Sequence, residues 1–240
     1  MNDLLSSVDD GKLSTLCLLD LSAAFDTVDH QLLISRLQTQ FNISDTVLSW
    51  IISYLSDRSQ KVVINNTEST KITLNCGVPQ GSVLGPVLFV LYTTSLGSII
   101  NEHSVKHYSY ADDTQLLDSF ASSEILKSLK NTATCATAIK CWMNANKLKL
   151  NDDKTEALLV GSVQRLRSVT ESSILIGDTS ITFSQSVRDL GVIIDSSLTL
   201  ENHIDHLCRV CYFHLRSIAN IRHLLTTEVC KQVMQHMVLS

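Results

Sequence analysis

Asp112 and Asp113 stand side by side in HYSYADDTQLL (residues 107–117), an acidic turn between two strand-like runs. A hairpin tip holds adjacent carboxylates close to solvent, where a hard divalent cation can reach them. Asp is also a common turn residue, so the pair by itself reads as an ordinary acidic turn. Three further blocks change that reading. In LCLLDLSAAFD (residues 16–26) a short apolar run, fit for a buried strand, ends on Asp20 and breaks into small residues and an aromatic, Phe25. An acid at the end of a buried strand costs stability unless it is paired or ligates a cation. CGVPQGSVLGP (residues 76–86) is a glycine-rich turn ahead of an apolar, helix-length segment. LKLNDDKTE (residues 148–156) is a mixed-charge cluster ahead of the strand-like Ala157-Leu158-Leu159-Val160.

These blocks, in this order, together with VRDLGV at 187–192, resemble the palm of a reverse transcriptase of the non-LTR (LINE-type) retrotransposon family. The resemblance runs from about Asn2 to the C-terminus. It implies an RNA-directed DNA polymerase, a nucleotidyltransferase in which a primer 3′-hydroxyl attacks the α-phosphate of a deoxynucleoside triphosphate. The implied cofactor is Mg2+, as two ions, with Mn2+ as a substitute. Such pairs stabilise the attacking and leaving oxygens together, and each ion takes only a few carboxylates from the protein. The implied metal ligands are Asp20, Asp112 and Asp113, with the Leu21 carbonyl also touching a metal.

The resemblance assigns further roles. Phe25 is the aromatic under the incoming sugar, where a ring clashes with a 2′-hydroxyl and so selects deoxynucleotides; a plain core aromatic is compatible with this. Gln80 and Gly81 cradle the nucleotide, glycine suiting a close backbone approach. No Walker P-loop is present. Lys154 matches the residue that protonates departing pyrophosphate, and beside Asp152, Asp153 and Glu156 it reads equally as a solvated charge. Leu190 and Gly191 resemble the hairpin that grips the primer end, a steric role. An RNA template, a DNA primer and deoxynucleoside triphosphates are the implied partners. Two alternatives stay open: a decayed or domesticated, non-catalytic palm acting as a binding or structural module, and an RNA-dependent RNA polymerase, disfavoured by Phe25 and YADD.

The elements that must position these residues follow from periodicity. Strands are expected at 15–21, 154–160, 174–177, 180–183 and 187–195, with a hairpin over 58–75 around Asn65-Asn66. Helices are expected near 29–38, 44–56, 83–100, 122–146, 201–220 and 227–239. The fold class is α+β, a polymerase palm whose antiparallel sheet is backed by helices, followed by a partial helical thumb. The palm is assigned to 1–195 and the thumb to 196–240. Only nineteen residues precede Asp20, and Lys12 is the one base among them, so the basic fingers are expected to be largely absent and the chain to be a fragment of a retroelement polyprotein with weak or no activity alone.

Composition sets the remaining bounds. A content of 44% hydrophobic residues fits a globular chain. The net charge of −5 is unusual for a nucleic-acid enzyme. It arises in residues 1–60, with eight acids against three bases, while Lys147, Lys149, Arg165, Arg167, Arg209, Arg216 and Arg222 lie in the back half. Residues 72–101 are uncharged and long enough to suggest a membrane span, but Pro79, Gln80 and Pro86 interrupt them and a buried helix is the better reading. His203, His206, Cys208, Cys211 and His214 invite a zinc site, yet no second cysteine pair follows and a helix suits the spacing. The acidic N-terminus carries no secretory n-region, and seven scattered cysteines fit a reducing, intracellular compartment, nuclear or cytoplasmic.

Overall fold

A helix that periodicity does not announce, Asn2–Asp9 (α1), precedes the first strand, Leu13–Leu19 (β1), in the computed structural model, which describes residues 1–238. All of β1 but Leu18 is buried, as an apolar run with neighbours on both sides requires. The strand closes one residue before Asp20, two residues short of the expected end. Asp20 therefore sits just past the strand, where the backbone turns.

His30–Thr39 (α2) starts at Asp29, whose carboxylate accepts from the Leu32 N–H at 2.9 Å and so satisfies an orphan donor of the first turn. Asp45–Leu55 (α3) buries Leu48, Ile51 and Leu55. Ser59–Gln60 (β2), Val63–Ile64 (β3), Thr67–Glu68 (β4) and Ile72–Thr73 (β5) form the expected hairpin as two short ladders, β2 with β5 and β3 with β4. Asn65 and Asn66 at its tip both have positive φ, the conformation a two-residue turn of this kind demands.

The apolar stretch expected as one helix over 83–100 is two, Leu84–Thr93 (α4) and Leu96–Glu102 (α5). The Thr93 hydroxyl donates to the Phe89 carbonyl and the Thr94 hydroxyl to that of Val90 at the break, side chains competing for the backbone of the last turn. By length and composition Leu84–Glu102 passes as a membrane span. Its Leu88, Phe89, Tyr92, Leu96 and Ile100 are buried in the protein core, which accounts for that apolarity.

Lys106–Tyr110 (β6) and Asp113–Phe120 (β7) make the acidic hairpin, and Ile125–Ala145 (α6) follows. Glu156–Val160 (β8), Val163–Leu166 (α7), Ser173–Ile176 (β9) and Thr179–Ser184 (β10) complete the first of two compact units, Met1–Ser184. Its six-stranded sheet runs β6-β7-β1-β8-β10-β9, antiparallel throughout except where β10 lies parallel to β8. The core joins β1, Leu116 of β7 and Ala157 of β8 to Leu33, Leu37, Leu88, Phe89, Tyr92, Ile100, Ile139 and Met143 of four helices. Arg36 ties those helices together. Its guanidinium donates to the Tyr92 carbonyl and the Asn146 side chain and lies 4.8 Å and 5.2 Å from the rings of Tyr92 and Trp142. The fold is α+β, a sheet backed by helices, as expected.

The second unit begins at Gln185. The run expected as strand over 187–195 is a hairpin, Ser186–Asp189 (β11) and Val192–Asp195 (β12), which groups with Glu201–Ile221 (α8) and Thr227–Val238 (α9) rather than with the six-stranded sheet. The expected last helix included Leu239, which lies outside the described residues. Asp195 organises the connection from β12 to α8: its carboxylate accepts from the N–H groups of Ser197, Thr199 and Leu200 and from the Ser197 and Thr199 hydroxyls. Burial pushes its carboxyl up, but those hydrogen bonds outweigh burial and hold it below the usual carboxylate range. A depressed folded value contributes stability that is present above the ordinary aspartate value and lost as pH falls through the folded one. Asp195→Asn should therefore lower the melting temperature of this unit at pH 7, with the deficit against the parent shrinking below about pH 4. Thermal melts of both proteins from pH 7 to pH 3 check this; a deficit independent of pH would show that the charge of Asp195 is immaterial.

Candidate active site

The site grows from the end of the central strand. β1 pairs with β7 from Leu13↔Phe120 to Leu19↔Thr114, so the next step of that register sets Asp20 beside Asp113. Tyr110 and Asp113 pair across the hairpin, with Ala111 at φ 53° and Asp112 between them. On the other flank, β1 pairs with β8, and the loop before β8 is stitched to the residues around Asp20. The Asn151 N–H donates to the Asp20 carbonyl and the Ser22 N–H to the Lys149 carbonyl, both at 2.9 Å, and Leu21 bridges Leu150. That loop is anchored by Asp152, whose two oxygens take Lys140 Nζ at 2.8 Å and 2.7 Å and whose Oδ2 accepts from Thr179 at 3.2 Å. The result is to bring Lys154 Nζ within 3.5 Å of Asp20 Oδ2.

Asp20 Oδ2 is itself buried and has no hydrogen-bond partner among the described residues. A desolvated carboxylate oxygen served only by a mostly exposed lysine carries a cost that a hard cation offsets, so the donor at Asp20 fits a divalent ion. Among the described residues, however, no three His, Cys, Asp or Glu side chains converge as a metal-holding group. Asp112 lines a cavity of about 300 Å³ with Leu21, Phe89, His107 and Thr114, and Asp113 begins β7. Asp20 is thus brought to Lys154, and the three carboxylates share one end of the sheet without closing on a point.

The glycine-rich turn is tied back to the loop after Asp20. The Gly77 N–H donates to the Val28 carbonyl and the Val78 N–H to that of Phe25, both at 2.8 Å, and Gln80 Nε2 donates to Asp26 Oδ1 at 2.9 Å. Gly77 is required here. Its φ is 89°, and a Cβ would stand 2.9 Å from the Asp26 carbonyl oxygen. Gly81 has φ 75° with open space around it. Phe25 is half-buried, its ring 4.9 Å from that of Phe89 and tilted by 33°. Leu190 and Gly191 form the tip of the β11–β12 hairpin at φ 44° and 89°, with Leu190 exposed.

Two positioning residues escape sequence reading: Asp26 and Lys140. Asp26 lies within a motif block, but nothing local shows that Gln80, 54 residues on, binds it. His203, His206, Cys208, Cys211 and His214, for which a helix is preferred to a zinc site, lie along α8.

A protein-family model described as reverse transcriptase (RNA-dependent DNA polymerase) matches residues 4–194. The chain belongs to the reverse transcriptase family. Its curated relatives are polymerases of non-LTR elements. The probable RNA-directed DNA polymerase from transposon BS of Drosophila melanogaster is 27% identical over 98% of this chain and 26% of its own length. The RNA-directed DNA polymerase from mobile element jockey of the same organism is 24% identical over 86% of this chain and 22% of its own length. The Pol polyprotein of type-1 retrotransposable element R2 from Popillia japonica is 28% identical over 68% and 27%. The chain thus spans about a quarter of the length of the curated relatives it matches. Among solved structures, apo telomerase from Candida tropicalis, truncated from its C-terminal domain, aligns with TM-score 0.53 at 14% identity, over 83% of this chain and 38% of that one. Telomerase of that organism with a fragment of telomeric RNA aligns with TM-score 0.54 at 14% identity, over 83% and 31%. At that identity the likeness shows the fold, a reverse transcriptase palm.

Proposed function

We propose that this reverse transcriptase domain adds deoxynucleotides to a primer 3′-hydroxyl on an RNA template. The observation that carries the proposal is the placement of Asp20 at the end of the central strand, beside the Asp112-Asp113 turn and under Lys154. Asp20, Asp112 and Asp113 would hold two Mg2+, or Mn2+ in their place, which neutralise charge on the attacking and leaving oxygens. The chain's own residues do the rest. The Leu21 carbonyl would contribute a further oxygen to a metal, and Gln80, braced by Asp26, and Gly81 receive the nucleotide. Phe25, supported by Phe89, excludes a 2′-hydroxyl. Lys154 stands ready to hand its proton to departing pyrophosphate. Leu190 and Gly191 offer a hairpin tip to the primer end. An intracellular setting belongs to the same proposal, supported by free cysteines; burial pushes the Cys17 and Cys135 thiols up to about 12 and about 11, so both stay protonated in the core.

The test is primer extension on an RNA template with deoxy- or ribonucleoside triphosphates and Mg2+. Extension with deoxynucleotides is expected once a basic fingers segment is supplied, and little from the chain alone. Phe25→Ala should leave deoxynucleotide use largely in place while raising ribonucleotide kcat/KM about tenfold or more, a selectivity change read as a free-energy difference. An unmoved ratio would reduce Phe25 to a core aromatic. One observation favours a second reading, a binding palm without catalysis: the described carboxylates do not converge as a three-ligand group. Absence of extension with bound template, once the fingers segment is supplied, would select it.

A further inference from the structure

A stack with an exposed end ring, its middle member Tyr54 packed partly against the core, lies outside the residues assigned so far. α3 buries Leu48, Ile51 and Leu55 on one side and carries Trp50 and Tyr54, one turn apart, on another. Their rings are stacked, centroids 5.8 Å apart and planes within 13°. One further turn along the chain, past the helix end, the Arg58 guanidinium lies 5.4 Å from the Tyr54 ring. Three flat groups thus stand in series, and the terminal one, Trp50, is 56% exposed. Single exposed hydrophobic residues are ordinary on protein surfaces. An ordered aromatic–aromatic–guanidinium series with its terminal ring open to water is a narrower arrangement, because each member presents a π-face at stacking distance to the next.

Arg58 also belongs to a second feature. With Asp26, His30, Gln60, Cys76 and Gln80 it lines a cleft of about 650 Å³, within the range of sites that hold small molecules. The cleft therefore runs from the nucleotide turn at Gln80 to the foot of the stack. Among the described residues the Arg58 guanidinium makes no ion pair or hydrogen bond, so its donors are uncommitted. Gln60 pairs with Ile72, and Lys61 and Lys71 are the chain neighbours of that pair on its outer side. Lys61 is paired with Glu68 at 2.6 Å, and Lys71 has no such partner among the described residues. Asp57 precedes Arg58 in the chain, and Asp26 is the acid that lines the cleft.

Stacked rings select planar groups, and uncommitted cations at their foot select anions. A nucleobase on a phosphate backbone supplies both, and every base has a π-face, so such platforms take single strands without reading their sequence. We infer that the Trp50–Tyr54–Arg58 stack and the cleft at its foot bind an unpaired nucleic-acid strand, one base on the open face of Trp50 and its phosphates toward Arg58 and Lys71. Given the proposed polymerase function, on which the RNA assignment rests, that strand is the unpaired template leading toward Gln80. A duplex cannot use the platform, since its bases are already stacked.

The test uses the chain as it stands. Trp50 is one of two tryptophans, so in a Trp142→Phe background its fluorescence reports stacking directly. An oligoriboadenylate of about twelve nucleotides should quench Trp50 fluorescence, and a blunt duplex should not. Trp50→Leu, followed by anisotropy of a labelled oligonucleotide, should weaken binding about tenfold or more, and Trp50→Phe should restore most of it, because phenylalanine stacks and leucine does not. Arg58→Gln should weaken binding and reduce its salt dependence. Circular dichroism and melting should be unchanged in Trp50→Leu, since the ring is at the surface. Equal affinity in parent and Trp50→Leu, or an oligonucleotide that binds without quenching Trp50, overturns the inference, as does leucine binding as well as phenylalanine. A deoxyoligonucleotide competing as well as RNA keeps the platform and removes its RNA assignment. Asp112→Asn separates the two proposals: it should lose extension and keep the quench. A parent that quenches but never extends a primer, even with a fingers segment supplied, would sink the polymerase reading alone.

Discussion

Asp112→Asn is expected to lower primer extension by on the order of 10³-fold, the scale of removing one positioned charge from a phosphoryl-transfer site. Asparagine keeps the shape of the side chain and deletes a negative donor, and magnesium depends on carboxylate charge. The fold should survive, because Asp112 sits in the two-residue turn between β6 and β7, outside the ladder that pairs β7 with β1. Melting temperature and extension rate, measured on the same preparation, separate the two effects. Unchanged turnover from a folded variant would remove Asp112 from the reaction. A variant that loses both would mean that the turn needs the acid for folding.

Phe89→Ala should destabilise the first unit by about 3–5 kcal/mol, the range for truncating a buried phenylalanine. Phe89 is 1% exposed and stands where α4 packs on the sheet. Its ring also backs Phe25 and lines the cavity that Asp112 faces. Against a total stability of about 5–15 kcal/mol, a loss of that size drops the melting point by roughly 10 °C in a unit of this length. Phe89→Leu keeps most of the buried volume and should cost less than half as much. Because the ring supports Phe25, the alanine variant should also relax sugar selection at temperatures where it remains folded. A melting point within a degree or two of the parent would show that the cavity collapses around the smaller side chain.

Much of the site was legible because its chemistry lies in short blocks whose ends coincide with turns. Asp20 closes an apolar run, Asp112 and Asp113 sit at a hairpin tip, and Gly77 and Gly81 take the positive φ that the turn needs. The Asn65-Asn66 tip was readable for the same reason, since its conformation is a property of those two residues. Elements without such local signals were read less well. α1 carries few apolar residues, with Leu4 and Ser7 buried, and its amphipathic pattern is short. The α4–α5 break coincides with Thr93 and Thr94 hydroxyls that bond back to carbonyls, which hydrophobic periodicity does not register. The hairpin over 186–195 hides in one strand-like run until Gly191 turns it.

By itself the sequence determined which acids, glycines and aromatics are present, in which order, and hence the family. Those features are local in the chain and survive any arrangement of the remainder. The tertiary structure alone decided the partners: Lys154 on Asp20, Gln80 on Asp26, Lys140 on Asp152, and Arg58 shared between an aromatic stack and a cleft. Each joins elements whose approach is set by a strand order of β6-β7-β1-β8-β10-β9, a helix packing or a turn. Side chains on adjacent strands are placed by the ladder's register, and a slip of one residue would carry Asp20 to the opposite face. No residue near Asp20 in the chain encodes that register by itself, because it is settled by burying Cys17 and Leu19 against helices formed far from them in sequence.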